Sequence, residues 1–181
     1  MTSRHHLSPP IHLVLLTIVA AMCAIACWPS PQSEDRMDDA PLATTAKPPA
    51  VIHPTAVLPD GFVVTLELAI TPDERAQGLM FRPILPEDRG MLLVFSEEGL
   101  PNIWMMNTLV SLDIVYLDRS GTVVDLVVDA QPCTGEPCPR FSPKQVAQVV
   151  LEIPAGGAGR HGIEVGSTLE FSDVPGFPVI D

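Results

Sequence analysis

The side chains best suited to chemistry fall between Arg75 and Asp113. Asp113 stands in Leu112-Asp113-Ile114-Val115-Tyr116-Leu117, where strand alternation sets it with Val115 and Leu117 and sets Leu112, Ile114 and Tyr116 opposite. One of those faces is buried, or both are. A buried carboxylate needs donors, and Arg75, Arg82, Asn107 and Thr108 are the candidates. Asp113 is then either a polar anchor that fixes a loop or a carboxylate that meets a ligand. The preceding run Trp104-Met105-Met106-Asn107-Thr108 lays donors and acceptors beside apolar surface, as small binding pockets do. A polar break between two apolar runs is also how a β domain turns a corner. Arg75, Arg82, Trp104, Asn107, Thr108 and Asp113 are accordingly the candidate ligand-binding residues.

Other chemistries have thinner support. Met80, Met91, Met105 and Met106 concentrate soft side chains around Trp104, and thioethers of this kind hold copper(I). Met also fills irregular cores and packs well on Trp. Cys133 and Cys138 lie in Pro132-Cys133-Thr134-Gly135-Glu136-Pro137-Cys138-Pro139, a loop by composition, and in an oxidising compartment they are expected to form a disulfide. As metal ligands they lack a second Cys or His pair nearby. His161 is the sole histidine after residue 60 and sits in the Gly-rich stretch from Gly156 to Gly162, so nucleophile, base and orienting group do not converge. That stretch has no clear helix to open, which argues against a phosphate cradle. Asp118, Ser120 and Asp125 lack the spacing of a calcium loop. Nothing in the sequence calls for a cofactor or a resident metal.

These residues sit in a chain of 181 residues with a formal net charge of −12, of which residues 61–181 carry −10, seventeen acids against seven bases. Such a domain repels phosphate backbones, which sets nucleic acid aside as a partner. At the N-terminus Arg4, His5 and His6 precede an apolar run from Ile11 to Ala26, broken by His12 and Thr17, and Ala24-Ile25-Ala26 stands directly before Cys27. This is the grammar of a signal peptide over residues 1–26. The small residues before Cys27 also resemble a bacterial lipobox, so Cys27 is the expected lipidation site, with plain cleavage as the alternative. Residues 27–60 hold Pro29, Pro31, Pro41, Pro48, Pro49, Pro54 and Pro59 without apolar periodicity, and read as a disordered tether. The expected address is outside the cytoplasm, in the periplasm or at the cell exterior, with membrane contact through the lipid anchor alone.

The elements that must position the candidate site lie in residues 61–174, one domain. Phe62 to Ala69 alternates as a strand. Thr71, Pro72 and Glu74 supply an N-cap, a first-turn proline and a capping-box acid, predicting one short helix over 72–80 that Gly78 weakens. Met91 to Phe95, Ile103 to Met106, Leu112 to Leu117, Thr122 to Val128, Val146 to Ile153 and Thr168 to Phe171 are short apolar runs between turn residues. Such a series predicts a mainly β domain, a compact sandwich or barrel of jelly-roll type. Asp118-Arg119-Ser120-Gly121 is a hairpin loop. Residues 175–181, with Pro175 and Pro178, form a loose or strapping tail.

Five motifs occur in order: Arg75-Ala76-Gln77-Gly78-Leu79-Met80-Phe81-Arg82, Gly90-Met91-Leu92, Trp104-Met105-Met106-Asn107-Thr108, Leu112-Asp113-Ile114 and Leu151-Glu152-Ile153-Pro154-Ala155-Gly156. The series resembles the uncharacterised family called domain of unknown function 192, over about Val63 to Phe171. The resemblance implies a compact mainly β sandwich or barrel, often behind a signal peptide, and no established activity, substrate or cofactor. Met106 stands where that family commonly has Lys, so no cationic role is carried over to that position.

Three functions compete. The leading one is a non-catalytic envelope module that binds a small ligand or a protein partner through the Trp and Met segment and its adjacent amides. A small hydrolase or lyase would rest on Asp113, with Arg75 or Arg82 as electrostatic partner and Asn107 orienting. Copper handling would rest on Met80, Met91, Met105, Met106 and the two Cys. Asp113 in an open cleft beside Arg82 favours chemistry, and Asp113 sealed in a hydrogen-bonded corner favours structure.

Overall fold

The structure, a computed structural model, describes residues 53–177. The signal segment, Cys27 and most of the tether lie outside the described residues. The strands are β1 (Thr55–Val57), β2 (Val63–Ala69), β3 (Arg89–Gly99), β4 (Ile103–Trp104), β5 (Leu112–Leu117), β6 (Val123–Ala130), β7 (Arg140–Phe141), β8 (Ala147–Pro154) and β9 (Glu170–Ser172). Helix α1 (Pro72–Gln77) stands between β2 and β3, and the short α2 (Gly157–Arg160) follows β8. Seven strands form one curled, half-barrel sheet in the order β6-β5-β8-β3-β2-β1-β9, and β4 pairs with β7 apart from it. The mainly β, barrel-like architecture expected from the sequence is present.

β2 and β3 are parallel, whereas their sheet neighbours pair antiparallel. A parallel pair cannot be joined by a tight turn, so the chain crosses over through residues 70–88, which carry α1. Thr71 caps α1 as expected: its side chain accepts from the Glu74 amide at 3.2 Å, and the Glu74 carboxylate accepts from the Thr71 amide at 2.8 Å. The helix ends at Gln77, three residues earlier than the sequence suggested, because Gly78 takes φ 47°.

Both faces of the sheet are buried, and β5 is buried at every position. One face gathers Val115, Leu117 and Leu151 from the centre with Val123 and Leu169 from near opposite edges, so it is the concave side. The edges are laced together there by Val123 N–H to Ser167 O at 2.8 Å and Leu169 N–H to Gly121 O at 3.0 Å. The other face gathers Met91, Leu93, Ile103, Met105, Ile114, Tyr116 and Val150 beneath the 70–88 crossover and the β4 segment. Strand spacing is tight at Gly90, where a Cβ would come 2.8 Å from the Glu152 carbonyl oxygen, so glycine is required. Gly121, at φ 85°, makes the expected β5 to β6 hairpin, and Asp118 Oδ1 accepts from Ser120 and Thr122 amides at 2.9 and 3.0 Å.

Two boundaries move. Residues 55–57, placed in the tether by the flanking Pro54 and Pro59 and the lack of period, form β1 between β2 and β9, and Ala56 and Leu58 are buried. Three residues are too few to show a period, and their pairing partners are remote in sequence. At the other end Phe177, placed in the tail, is buried edge-on to Phe171 at 5.1 Å, so the strap extends at least that far.

Candidate functional site

Asp113 is fully buried on the concave side, and its carboxylate accepts the Asp129 amide on Oδ1 at 2.8 Å and the Ala158 amide on Oδ2 at 2.9 Å. Neither donor is one of the four side chains expected to serve it. Backbone amides of β6 and α2 do so instead, because the Gly-rich stretch turns into a helical turn, contrary to the expectation that no helix opens there. Asp113 thus ties β5, β6 and α2 together from a sealed corner. The geometry is that of a structural anchor, and the proposed pairing of Asp113 with Arg75 or Arg82 is absent.

The opposite face carries a cleft of about 300 Å³ between α1, the start of β4 and the sheet. Arg75, Gln77 and Gly78 form one wall, Asn102 and Trp104 another, with Thr108 and Glu152 among the polar groups that line it. Of the six residues singled out in the sequence, Arg75, Trp104 and Thr108 meet here, whereas Arg82, Asn107 and Asp113 do not. Arg75 Nη1 donates to the carbonyls of Ile70 and Val94, the latter at 2.9 Å, and the guanidinium lies 4.7 Å from the Phe95 ring centre. Trp104 is held from another side by Arg140, 4.5 Å from its ring. Arg82 faces a neighbouring, smaller cleft and is paired with Glu67, whose carboxyl it holds below the usual carboxylate range. Asn107 works through its backbone, which at φ 55° accepts from the Phe81 amide at 2.8 Å and donates to Cys133 O at 2.7 Å.

Glu152 is the residue that sequence reasoning missed. It stands in β8 opposite Met91 of β3 and Ile114 of β5, only 5% exposed, and its carboxyl has no hydrogen-bond partner among the described residues. Gly78 and Glu152 line the same cleft, and a Cβ built on Gly78 would stand 4.0 Å from Glu152 Oε2, in ordinary van der Waals contact. Burial pushes this carboxyl up to about 7. Thr108, 4% exposed, lines the same cleft. The signal was legible as a single acid inside the apolar run Val149-Val150-Leu151-Glu152-Ile153, which strand pairing on both sides must bury.

Cys133 and Cys138 form the expected disulfide. Its loop buttresses the cleft from behind: the Cys133 amide donates to Met105 O at 3.2 Å, and Cys133 bridges to Met106 and Thr108. Met91 and Met105 are packed in the core, Met80 lines the cleft, and Met106 Sδ lies 3.8 Å from Cys138 Sγ. With both cysteines bonded to each other, neither offers a thiolate. Among the described residues no group of three or more His, Cys, Asp or Glu is placed to hold a metal ion. His161 is buried near α2, stacked 4.2 Å from Phe62 with Nδ1 2.8 Å from Asp60 Oδ2.

Comparison with known proteins bears on the fold and the family. The chain is similar to a crystallised protein of Sinorhizobium meliloti 1021, described as a candidate transcription regulator, at 32% identity and TM-score 0.59 over 66% of this chain and 92% of that one. It is similar too to a crystallised protein of unknown function from Novosphingobium aromaticivorans DSM 12444, at 30% identity and TM-score 0.59 over 74% of this chain and 96% of that one. No curated protein matches the chain. The profile of domain of unknown function 192, described as an uncharacterized ACR, matches residues 55–171, and the chain belongs to that family.

Proposed function

We propose that the chain is a cell-envelope module that binds a small ligand in the cleft floored by Glu152. One observation carries this: the carboxyl of a residue only 5% exposed has no hydrogen-bond partner among the described residues and opens into a cavity rather than onto packed side chains. Holding a carboxyl among apolar strands without donors is costly. A ligand that completes the hydrogen bonds of Glu152 and Thr108 and covers Trp104 and Met80 would recover that cost. The cavity lies at the small end of ligand pockets, which run from about 300 to 1,000 Å³. Its walls are the capped helix α1 and the 102–104 segment, and Thr108, from the segment bridged to Cys133, stands beside them, an arrangement that favours binding without closure.

The signal segment, the expected lipid at Cys27 and the Pro-rich tether support an envelope location with reach from a membrane surface. The regulator description of the Sinorhizobium protein is not carried over, because a charge of −10 across residues 61–181 opposes nucleic acid. A catalytic use would draw on the upward push that burial gives this carboxyl, toward the range suited to proton transfer at neutral pH. Any such reaction would use Glu152 and not Asp113.

Native mass spectrometry of the chain released from its own envelope tests binding directly. A small retained mass that disappears in Glu152→Gln and Trp104→Ala, both still folded, is the expected result. A mass retained unchanged in both variants would place the ligand elsewhere, and no retained mass together with no hit from a small-fragment screen on the cleft would reject a binding role.

A further inference from the structure

Resting on the cleft as the ligand site, we infer that its ligand is an organic cation, an ammonium or amidinium group on a small apolar body, whose N–H groups meet the Glu152 carboxyl. The case is one of satisfiability. Each cation of the fold that borders this region is already engaged, Arg140 with the Trp104 ring at 4.5 Å. Arg75 donates to the Ile70 and Val94 carbonyls and stacks on Phe95. Arg82 pairs with Glu67. In the cross-strand row Glu67, Met91, Glu152, Ile114, the side chain of Met91 separates that pair from Glu152. From β5 the Tyr116 hydroxyl, whose ionisation burial opposes first and the charges of Glu152 and Asp125 after it, donates to Phe141 O at 2.9 Å and is spent there. Gln77 and Asn102 are the neutral polar side chains on the rim, and Thr108 adds a hydroxyl.

Glu152 is therefore the one charged side chain of the lining without a partner among the described residues, and what it lacks is a positive donor. An ionised carboxylate accepts from up to four sites, which an ammonium fits better than a neutral group offering one N–H. The ring of Trp104 and the thioether of Met80 offer the apolar body a soft, polarisable wall. At long range the excess of seventeen acids over seven bases in residues 61–181 concentrates cations at the surface and repels anions.

The complete chain is titrated with 2-phenylethylammonium, its neutral counterpart 3-phenylpropanamide and the anion 3-phenylpropionate, following the Trp104 indole and Glu152 carboxyl signals by NMR. The ammonium is expected to bind at least about tenfold more tightly than the amide, with affinity rising about tenfold between pH 6 and pH 8 as Glu152 ionises in the free protein. Glu152→Gln is expected to remove both the preference and the pH dependence while the protein stays folded. Equal binding of ammonium and amide, flat with pH, would overturn the cationic class and leave the cleft as a ligand site. Tighter binding of the propionate would overturn it in favour of Arg75 as the determinant. If none of the three probes, and no other fragment, moves either signal, the cleft itself is not the site.

Discussion

Asp113 and Glu152 are acids in adjacent central strands, pointing to opposite faces of the sheet, and they illustrate what decides the role of a buried carboxyl. Asp113 receives two backbone amides at 2.8 and 2.9 Å, donors that cannot leave without unfolding β6 or α2. Asparagine can offer only one oxygen there and turns an N–H toward an amide N–H. Asp113→Asn is expected to cost about 3 kcal/mol in denaturant unfolding, with cleft ligand binding unchanged in the folded fraction. Glu152 has no such donors, and burial lifts it from 4.5 to about 7. Its folded value lies above its unfolded one, so folding takes up a proton between them. The contribution is fully present below pH 4.5 and is lost as pH rises through 7, on the order of 3 kcal/mol in all. Comparing wild type with Glu152→Gln by chemical denaturation at pH 4.5 and pH 8 should show that pH-dependent gap, with the variant gaining relative stability at the higher pH. Asp113 stood out in the sequence because it opens a strand after a polar break. Glu152 did not, because a lone acid in an apolar run gives no hint of which partner strand will face it, and only the β3-β8-β5 pairing brings it under the cleft.

At the scale of elements, the parts specified by local chemistry were readable and those specified by remote pairing were not. The capping box at Thr71 and Glu74, the Gly121 hairpin and the β5 span are written in adjacent residues and appear as expected. β1 and α2 are too short to announce themselves and exist because β9, β2 and Asp113 hold them. The same limit explains the candidate site: Trp104 and Thr108 share a segment, but their meeting with Arg75 depends on the crossover laying α1 across the face of the sheet. The disulfide loop belongs to this scale too. Its two cysteines are five positions apart, and closing so small a ring removes about 2 kcal/mol of chain entropy from the unfolded state. Reduction, or Cys133→Ser with Cys138→Ser, should lower stability by about that amount. It should also loosen the 105–108 segment, which faster amide exchange at Thr108 and weaker cleft binding would reveal; protection unchanged on reduction would mean the loop is not a buttress.

For the whole molecule, the described half-barrel has both faces buried and carries the proposed ligand site in a cleft on the convex side, while the proposed envelope address rests on the N-terminal segment outside the described residues. Lipidation at Cys27 predicts that the wild-type chain fractionates with membranes and incorporates labelled palmitate, and that Cys27→Ser, with Cys23 intact, does neither; label retained in the variant would end that proposal. The central claim is that Glu152 is an unpartnered carboxyl open to a ligand. Carbon-13 NMR titration of the Glu152 carboxyl in the complete chain measures this directly. A midpoint near 7 that moves when a cleft ligand is added is the predicted result. A midpoint at the ordinary glutamate value of about 4.3, unmoved by any ligand that binds the protein, would contradict it.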